Sequence, residues 1–144
     1  MKVLSMIVVI LIGLSVSKAT LGGEYIDQVK LQLAMIKLTV LSEGWKETHD
    51  AKFDRLDEGD SDSFSFNLRK GNSYKIVSVC DKDCSDLDLA LYDENGNKIS
   101  KDAGIDSMPV VEATPKWTGN FSLKVKMYSC KSNPCYFGIS ILGR

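Results

Sequence analysis

This sequence has little of what catalysis usually requires. It contains one histidine, His49, which sits in a polar stretch beside Asp50. No serine lies in a G-x-S-x-G turn, which excludes the nucleophile elbow of α/β-hydrolases. Hydrolysis through a covalent intermediate needs a nucleophile, a base and an orienting group, and no motif sets out such a trio; His49 reads as a surface or capping residue. An excess of positive charge is missing too: 18 Lys and Arg face 19 Asp and Glu, scattered along the chain, for a net charge of −1. Phosphate binding needs clustered cations, so nucleic acid is excluded as a partner class. The four cysteines, Cys80, Cys84, Cys130 and Cys135, lack the paired C-x2-C spacing of structural zinc sites and thioredoxin-like redox centres.

What is present begins with Lys2 and an almost wholly apolar run, Val3 to Val16, followed by Ser17-Lys18-Ala19. That order of charge, apolar run and small residues is the pattern of a signal peptide, expected here over residues 1–19 with cleavage after Ala19. The run is short of the ~20 apolar residues that span a bilayer, so no stable membrane insertion is expected once it is removed. The expected destination is the periplasm or the extracellular space. An even number of cysteines in an exported chain reads as two disulfides. Three connectivities exist, and the local pairs Cys80–Cys84 and Cys130–Cys135 are favoured because each brackets a short turn between strand-like runs. Loops that small restrict the unfolded chain weakly, which places each bond at the low end of ~2–4 kcal/mol.

Residues 22–42 read as a helix. Ile26, Val29, Leu33, Ile36 and Val40 recur at 3-4-3-4 spacing, one apolar stripe, and Gly44 supplies a stop. A second apolar set, Leu31, Met35, Leu38 and Leu41, lies on another side of the same helix. Apolar residues on two sides suit a helix covered twice, and self-association through it is one expectation. Residues 45–62 form a polar connector with few strand signals. From Ser63 the period changes to two. Phe64, Phe66 and Leu68 alternate, then Tyr74 and Ile76 up to Cys80, then Leu87, Leu89 and Leu91. Asp93 to Asn97 closes that run with turn chemistry. Short runs follow at Val110–Ala113, Phe121–Cys130 and Cys135–Leu142. Six or seven strands at spacings of about ten residues imply a β-sandwich. The expected fold is mainly β, an antiparallel, jelly-roll-like β-sandwich preceded by one N-terminal α-helix, with helix and connector over residues 20–62 and the sandwich over 63–144.

Tyr74-Lys75-Ile76-Val77, Asp86-Leu87-Asp88-Leu89-Ala90-Leu91-Tyr92-Asp93, Asn95-Gly96, Thr118 to Val125 and Tyr136 to Ile139 form a strand-and-turn series. From about Gly71 onward the chain thereby resembles the bacterial pre-peptidase C-terminal domain family, in a cysteine-containing, stand-alone form. The resemblance implies a β-sandwich of the kind appended to exported enzymes, serving targeting or substrate binding, some members aided by calcium. It rests on structural residues and so bears on fold more than on function.

The densest chemistry is Asp81, Asp83, Asp86 and Asp88. Calcium takes six to eight oxygens, which closely spaced carboxylates supply, and calcium is the cofactor this spacing suits. Asp86 and Asp88, two apart on a strand, point to one face. Neither the Gly at position six nor the Glu at position twelve of an EF-hand loop follows Asp81, and aspartate also favours turns for its own hydrogen bonding. Tyr92 and Trp117 are the aromatic candidates for a binding platform taking a protein or carbohydrate ligand. The expected function is an exported non-catalytic binding or structural module. The alternatives are a small secreted hydrolase using carboxylates near Asp86 and Asp88, and an oligomer subunit assembled through helix 22–42.

Overall fold

The computed structural model describes residues 21–144, so the expected signal peptide and its cleavage site lie outside the described residues. The chain runs α1 (Leu21–Leu41), β1 (Lys46–Glu47), β2 (Lys52–Leu56), β3 (Ser61–Leu68), β4 (Tyr74–Cys80), β5 (Cys84–Tyr92), β6 (Lys98–Asp102), β7 (Val110–Ala113), β8 (Gly119–Cys130) and β9 (Cys135–Gly143). Two antiparallel sheets form. One has the order β1-β9-β4-β7, with β2 also paired to β9, and the other β3-β8-β5-β6. The protein is a β-sandwich preceded by one helix.

Strands with one buried face alternate as the pattern requires. Leu87, Leu89 and Leu91 of β5 and Phe121, Leu123, Val125 and Met127 of β8 point inward and are buried. Phe137, Ile139 and Ile141 of β9 and Ile76 of β4 meet them from the facing sheet. β4 and β9 are also covered outside. Val29 and Leu33 of α1, fully buried, pack there with Trp45, Val77, Val79 and Leu142 as a second small core. That double cover explains why both strands read as near-continuous apolar runs rather than alternating ones.

The polar connector at 45–62 contains two strands, β1 and β2, and one further strand, β6, was not legible in the pattern. All three lie along edges of the sheets, and β2 is exposed at four of its five positions. A strand with no buried face leaves no period-two apolar trace. The free edges are blunted by side chains: Asp54 Oδ1 accepts from Arg55 N–H at 2.8 Å on β2, and Asp62 Oδ1 from Ser63 N–H at 2.7 Å on β3. Occupied edge donors and nearby charge discourage strand addition.

Both disulfides form between the local pairs, Cys80–Cys84 and Cys130–Cys135. Each spans a turn that carries the chain from one sheet to the other, β4 to β5 and β8 to β9. Cys84 and Cys130 are register partners, so the two bonds sit side by side at one end of the sandwich. Lys131 N–H donates to the Asp83 carbonyl at 2.7 Å and joins the turns. Paired structural disulfides of this kind belong to an oxidising, non-cytoplasmic environment.

Helix docking depends on a missing side chain. A Cβ on Gly138 would lie 2.8 Å from both Val29 Cγ1 and Leu33 Cδ1 and 3.0 Å from Phe53 Cδ1. Gly138→Ala is therefore expected to destabilise the protein by about 1–3 kcal/mol, the usual cost of overpacking, and to loosen α1 first. Urea unfolding with limited proteolysis checks this: early cleavage within residues 21–44 is expected, and unchanged stability and protection would refute the packing argument.

Candidate ligand-binding cleft

Where β1 and β2 turn away from β3, the sandwich is open. The gap holds two adjoining compartments of about 400 and 350 Å³, with His49 and Asn67 in the wall they share. The first is lined by Thr48, Arg69, Asn72 and Tyr74, whose polar ends and apolar stems both face it. The second reaches the core between the sheets, with Phe64, Phe66, Ile139 and Ile141 as its floor and Asp50, Lys52 and Ser65 at its rim. A concave apolar floor with a few placed polar groups is what small-ligand sites share, and the volume falls in their usual range.

His49 holds this opening in place. Its Nε2 lies 2.9 Å from the Asn67 carbonyl of β3, which only accepts, so Nε2 carries a hydrogen. With Nε2 donating, Nδ1 accepts from the Thr48 hydroxyl at 2.8 Å, and Thr48 N–H donates to the Ile141 carbonyl of β9 at 3.0 Å. The ring packs edge-on against Phe66 with centroids 5.8 Å apart. Through His49 the segment before β2 is tied to both sheets. The sequence pattern placed His49 on the surface and Phe64 and Phe66 in the core. The alternation of Phe64 and Phe66 is real, but whether a neighbouring strand covers them depends on β2 pairing with β9, which no local pattern encodes.

The four aspartates of the acidic segment separate. Asp81 is buried, and its carboxylate accepts from Asp83 N–H at 3.0 Å and Tyr136 N–H at 2.7 Å, bracing both disulfide turns. The Asp83 carboxylate beside the Tyr25 hydroxyl raises the Tyr25 pKa. Asp86 and Asp88 project from the outer face of β5, away from that turn. The expectation that Asp81, Asp83, Asp86 and Asp88 form one calcium site is thus corrected: backbone donors of the turn already hold Asp81, and Asp83 faces α1. Among the described residues no group of three or more His, Cys, Asp or Glu side chains is arranged to hold a metal ion.

Tyr92 and Trp117 are not brought to the cleft either. Tyr92 stands on the outer face of β5 with Lys98 Nζ 5.9 Å from its ring. Trp117 stacks on Phe121 at 6.1 Å and closes one end of the core. Asp93, next to Tyr92, is a turn residue. Burial pushes its pKa up, but hydrogen bonds from the Asn97 side chain and from Asn97 and Asn95 N–H outweigh this and hold it below the ordinary value.

Comparison of the chain with family models and with curated proteins gives no match.

Burial, and secondarily the charge of Asp106, pushes the Asp86 pKa up; burial, then the charge of Asp86, does the same for Asp88. A carboxyl whose folded-state pKa is raised lends stability at low pH that is lost as pH climbs through the folded value. In chelator-treated buffer, these two groups therefore weaken the fold progressively above the ordinary carboxylate range of about 4. Asp86→Asn is expected to be more stable than the parent at pH 7 and to match it more closely near pH 4. Urea titrations across that range check this, and a variant less stable at pH 7 would contradict it.

Proposed function

We propose that this protein is an exported, non-catalytic binding module that takes its ligand in the cleft beside His49. The observation that carries the reading is the open inter-sheet compartment, apolar at its floor and polar at its rim, on a disulfide-stapled frame. Both nitrogens of His49 are engaged in holding Thr48 and Asn67, which suits a fixed wall better than a proton carrier. The ligand that fits is an extended protein or carbohydrate segment that inserts an apolar group between Phe64 and Ile139 and meets Lys52, Asp50 and Asn67 with polar ones. Residues that carry the resemblance to the pre-peptidase C-terminal family lie on β4, β5, β8 and β9 and in the turns after β5 and before β8, and support a module of that type. The disulfides support a periplasmic or extracellular location.

Amide chemical shifts of the oxidised protein titrated with a peptide and oligosaccharide panel test this. A responding compound is expected to move His49, Ser65, Phe66 and Ile139, and Phe66→Ala is expected to weaken it by about tenfold, the worth of roughly half a buried aromatic side chain. Turnover in a broad hydrolase screen that is abolished by Asp86→Asn or Asp88→Asn would replace this reading with the enzymatic one.

The outer face of α1 favours a second reading, self-association. At about 100° per residue, Leu31, Met35 and Leu38 point nearly opposite to Leu33, and they are 64%, 60% and 70% exposed. A face roughly 30 Å long and 10 Å wide offers only about 300 Å² per copy, against about 800 Å² in a standard interface, so the dimer is weak. Sedimentation is expected to show a dimer only at high concentration and none for Leu38→Glu. Identical monomeric behaviour of both proteins at all concentrations would remove this reading.

A further inference from the structure

β3 is the outer strand of its sheet, hydrogen-bonded to β8 on one side and to no strand on the other. Along an antiparallel strand the N–H and C=O of one residue point to the same side, and successive residues alternate sides. Two contacts fix the phase here. The Asn67 carbonyl accepts from His49 Nε2, and Ser63 N–H donates to Asp62 Oδ1. Neither bond goes to β8, so Ser63, Ser65 and Asn67 turn their main-chain groups to the open side, and Phe64 and Phe66 turn theirs to β8. Ser63 has its donor covered and Asn67 its acceptor. Ser65 alone of the three keeps both groups without a partner among the described residues.

That unserved pair opens on the cleft. Ser65 borders the compartment of about 350 Å³, yet its exposed side chain alternates to the face opposite Phe64 and Phe66. Its main chain is what meets the compartment. The His49 ring lies against Phe66, so the free room is toward Phe64 and Ile139. Lys52 stands at the rim of this compartment and Arg69 beside the adjoining one, against Asp50 alone. Neither cation is in an ion pair among the described residues.

We infer, resting on the proposed cleft as the binding site, that its ligand is an extended peptide that pairs with β3 at Ser65 alone. In an antiparallel arrangement one peptide residue exchanges both hydrogen bonds with Ser65. Residues opposite each other across a ladder place their side chains on the same face, so that residue points outward. The next residue toward the peptide C-terminus stands opposite Phe64 and sends an apolar side chain into the compartment. The excess of positive charge at the rim favours acidic residues in the flanks. Main-chain pairing supplies affinity and the pocket supplies specificity, as in other strand additions at sheet edges. A carbohydrate has no amide donor and acceptor at strand spacing, so Ser65 selects a peptide over it. The caps on Ser63 and Asn67 stop the pairing from spreading along the edge.

Amide hydrogen exchange on the oxidised full chain is the first test. Ser65 N–H is expected to exchange at least about tenfold faster than Phe64 and Phe66 N–H, which β8 holds; equal protection overturns the proposal at the outset. The probes are then heptapeptides selected from a phage-displayed random library on the immobilised protein. Selected peptides are expected to carry one large apolar residue with acidic flanks and to protect Ser65 N–H when bound. N-methylation of the residue just before the apolar one is expected to weaken binding by about tenfold or more, and of the flanks far less. Ser65→Pro removes the open-side N–H and no bond to β8, which an edge strand tolerates, and is expected to cost the same factor. The N-methyl scan leaves the protein untouched and decides the matter if that variant does not fold. Peptides that shift Phe66 and Ile139 amides yet ignore N-methylation overturn the pairing and leave the cleft as the site. An oligosaccharide that shifts those amides where no peptide is selected has the same meaning. Peptides that shift only amides elsewhere, or no ligand of either kind, overturn both.

Discussion

β9 is hydrogen-bonded along both edges and covered on both faces, and the rest of the molecule is arranged to satisfy it. β4 runs along one edge, and β1 and β2 share the other. Its inward residues Phe137, Ile139 and Ile141 complete the inter-sheet core, while α1 lies across Gly138 on the outside. A buried strand cannot leave backbone groups unpaired without a cost of the order of a lost hydrogen bond each, so the otherwise exposed β2 is retained as its partner. The cleft follows from this arrangement. β2 pairs with β9 and not with β3, and the gap left between the sheets leaves Phe64 and Phe66 only half-buried.

The second constraint lies at the other end of the same strand. Cys135 opens β9 and is bonded to Cys130, while Asp81, between the first two cysteines, accepts from Tyr136 N–H. The two sheet-to-sheet turns are thus held covalently and by a buried carboxylate at one end of the sandwich. The open compartments lie away from this staple and are held by the hydrogen bonds of His49. A rigid end and an adaptable side suit a module that binds rather than one that transforms.

The acidic residues divide in an instructive way. Asp81, Asp93, Asp54 and Asp62 spend their oxygens on backbone donors of turns and edges, the behaviour that makes aspartate common in such places. Asp86 and Asp88 do not. One oxygen of each is buried with no donor to serve it, which is why burial raises their pKa values instead of hydrogen bonds lowering them. In sequence all of these residues look alike; the difference lies in what the folded chain lays over them.

Three things were determined by the sequence itself: α1, from the 3-4-3-4 spacing of Ile26 to Val40; the sandwich, from the period-two runs of β3, β5 and β8; and the two local disulfides, from cysteines that bracket tight turns. Each is written in contacts between residues near one another, or in a periodicity that one buried face imposes. Edge strands β2 and β6 carry no such imprint, because neither face of β2 is buried and β6 is covered only in part. Tertiary structure alone decided that His49 would become the wall of a cleft, that Phe64 and Phe66 would stay half open, and that the charges of Asp106 and Asp102 would act on Asp86 and Asp88. Those outcomes depend on which strands pair at a distance and which loop crosses which edge, and a pairing between remote segments leaves no trace in the local pattern of either.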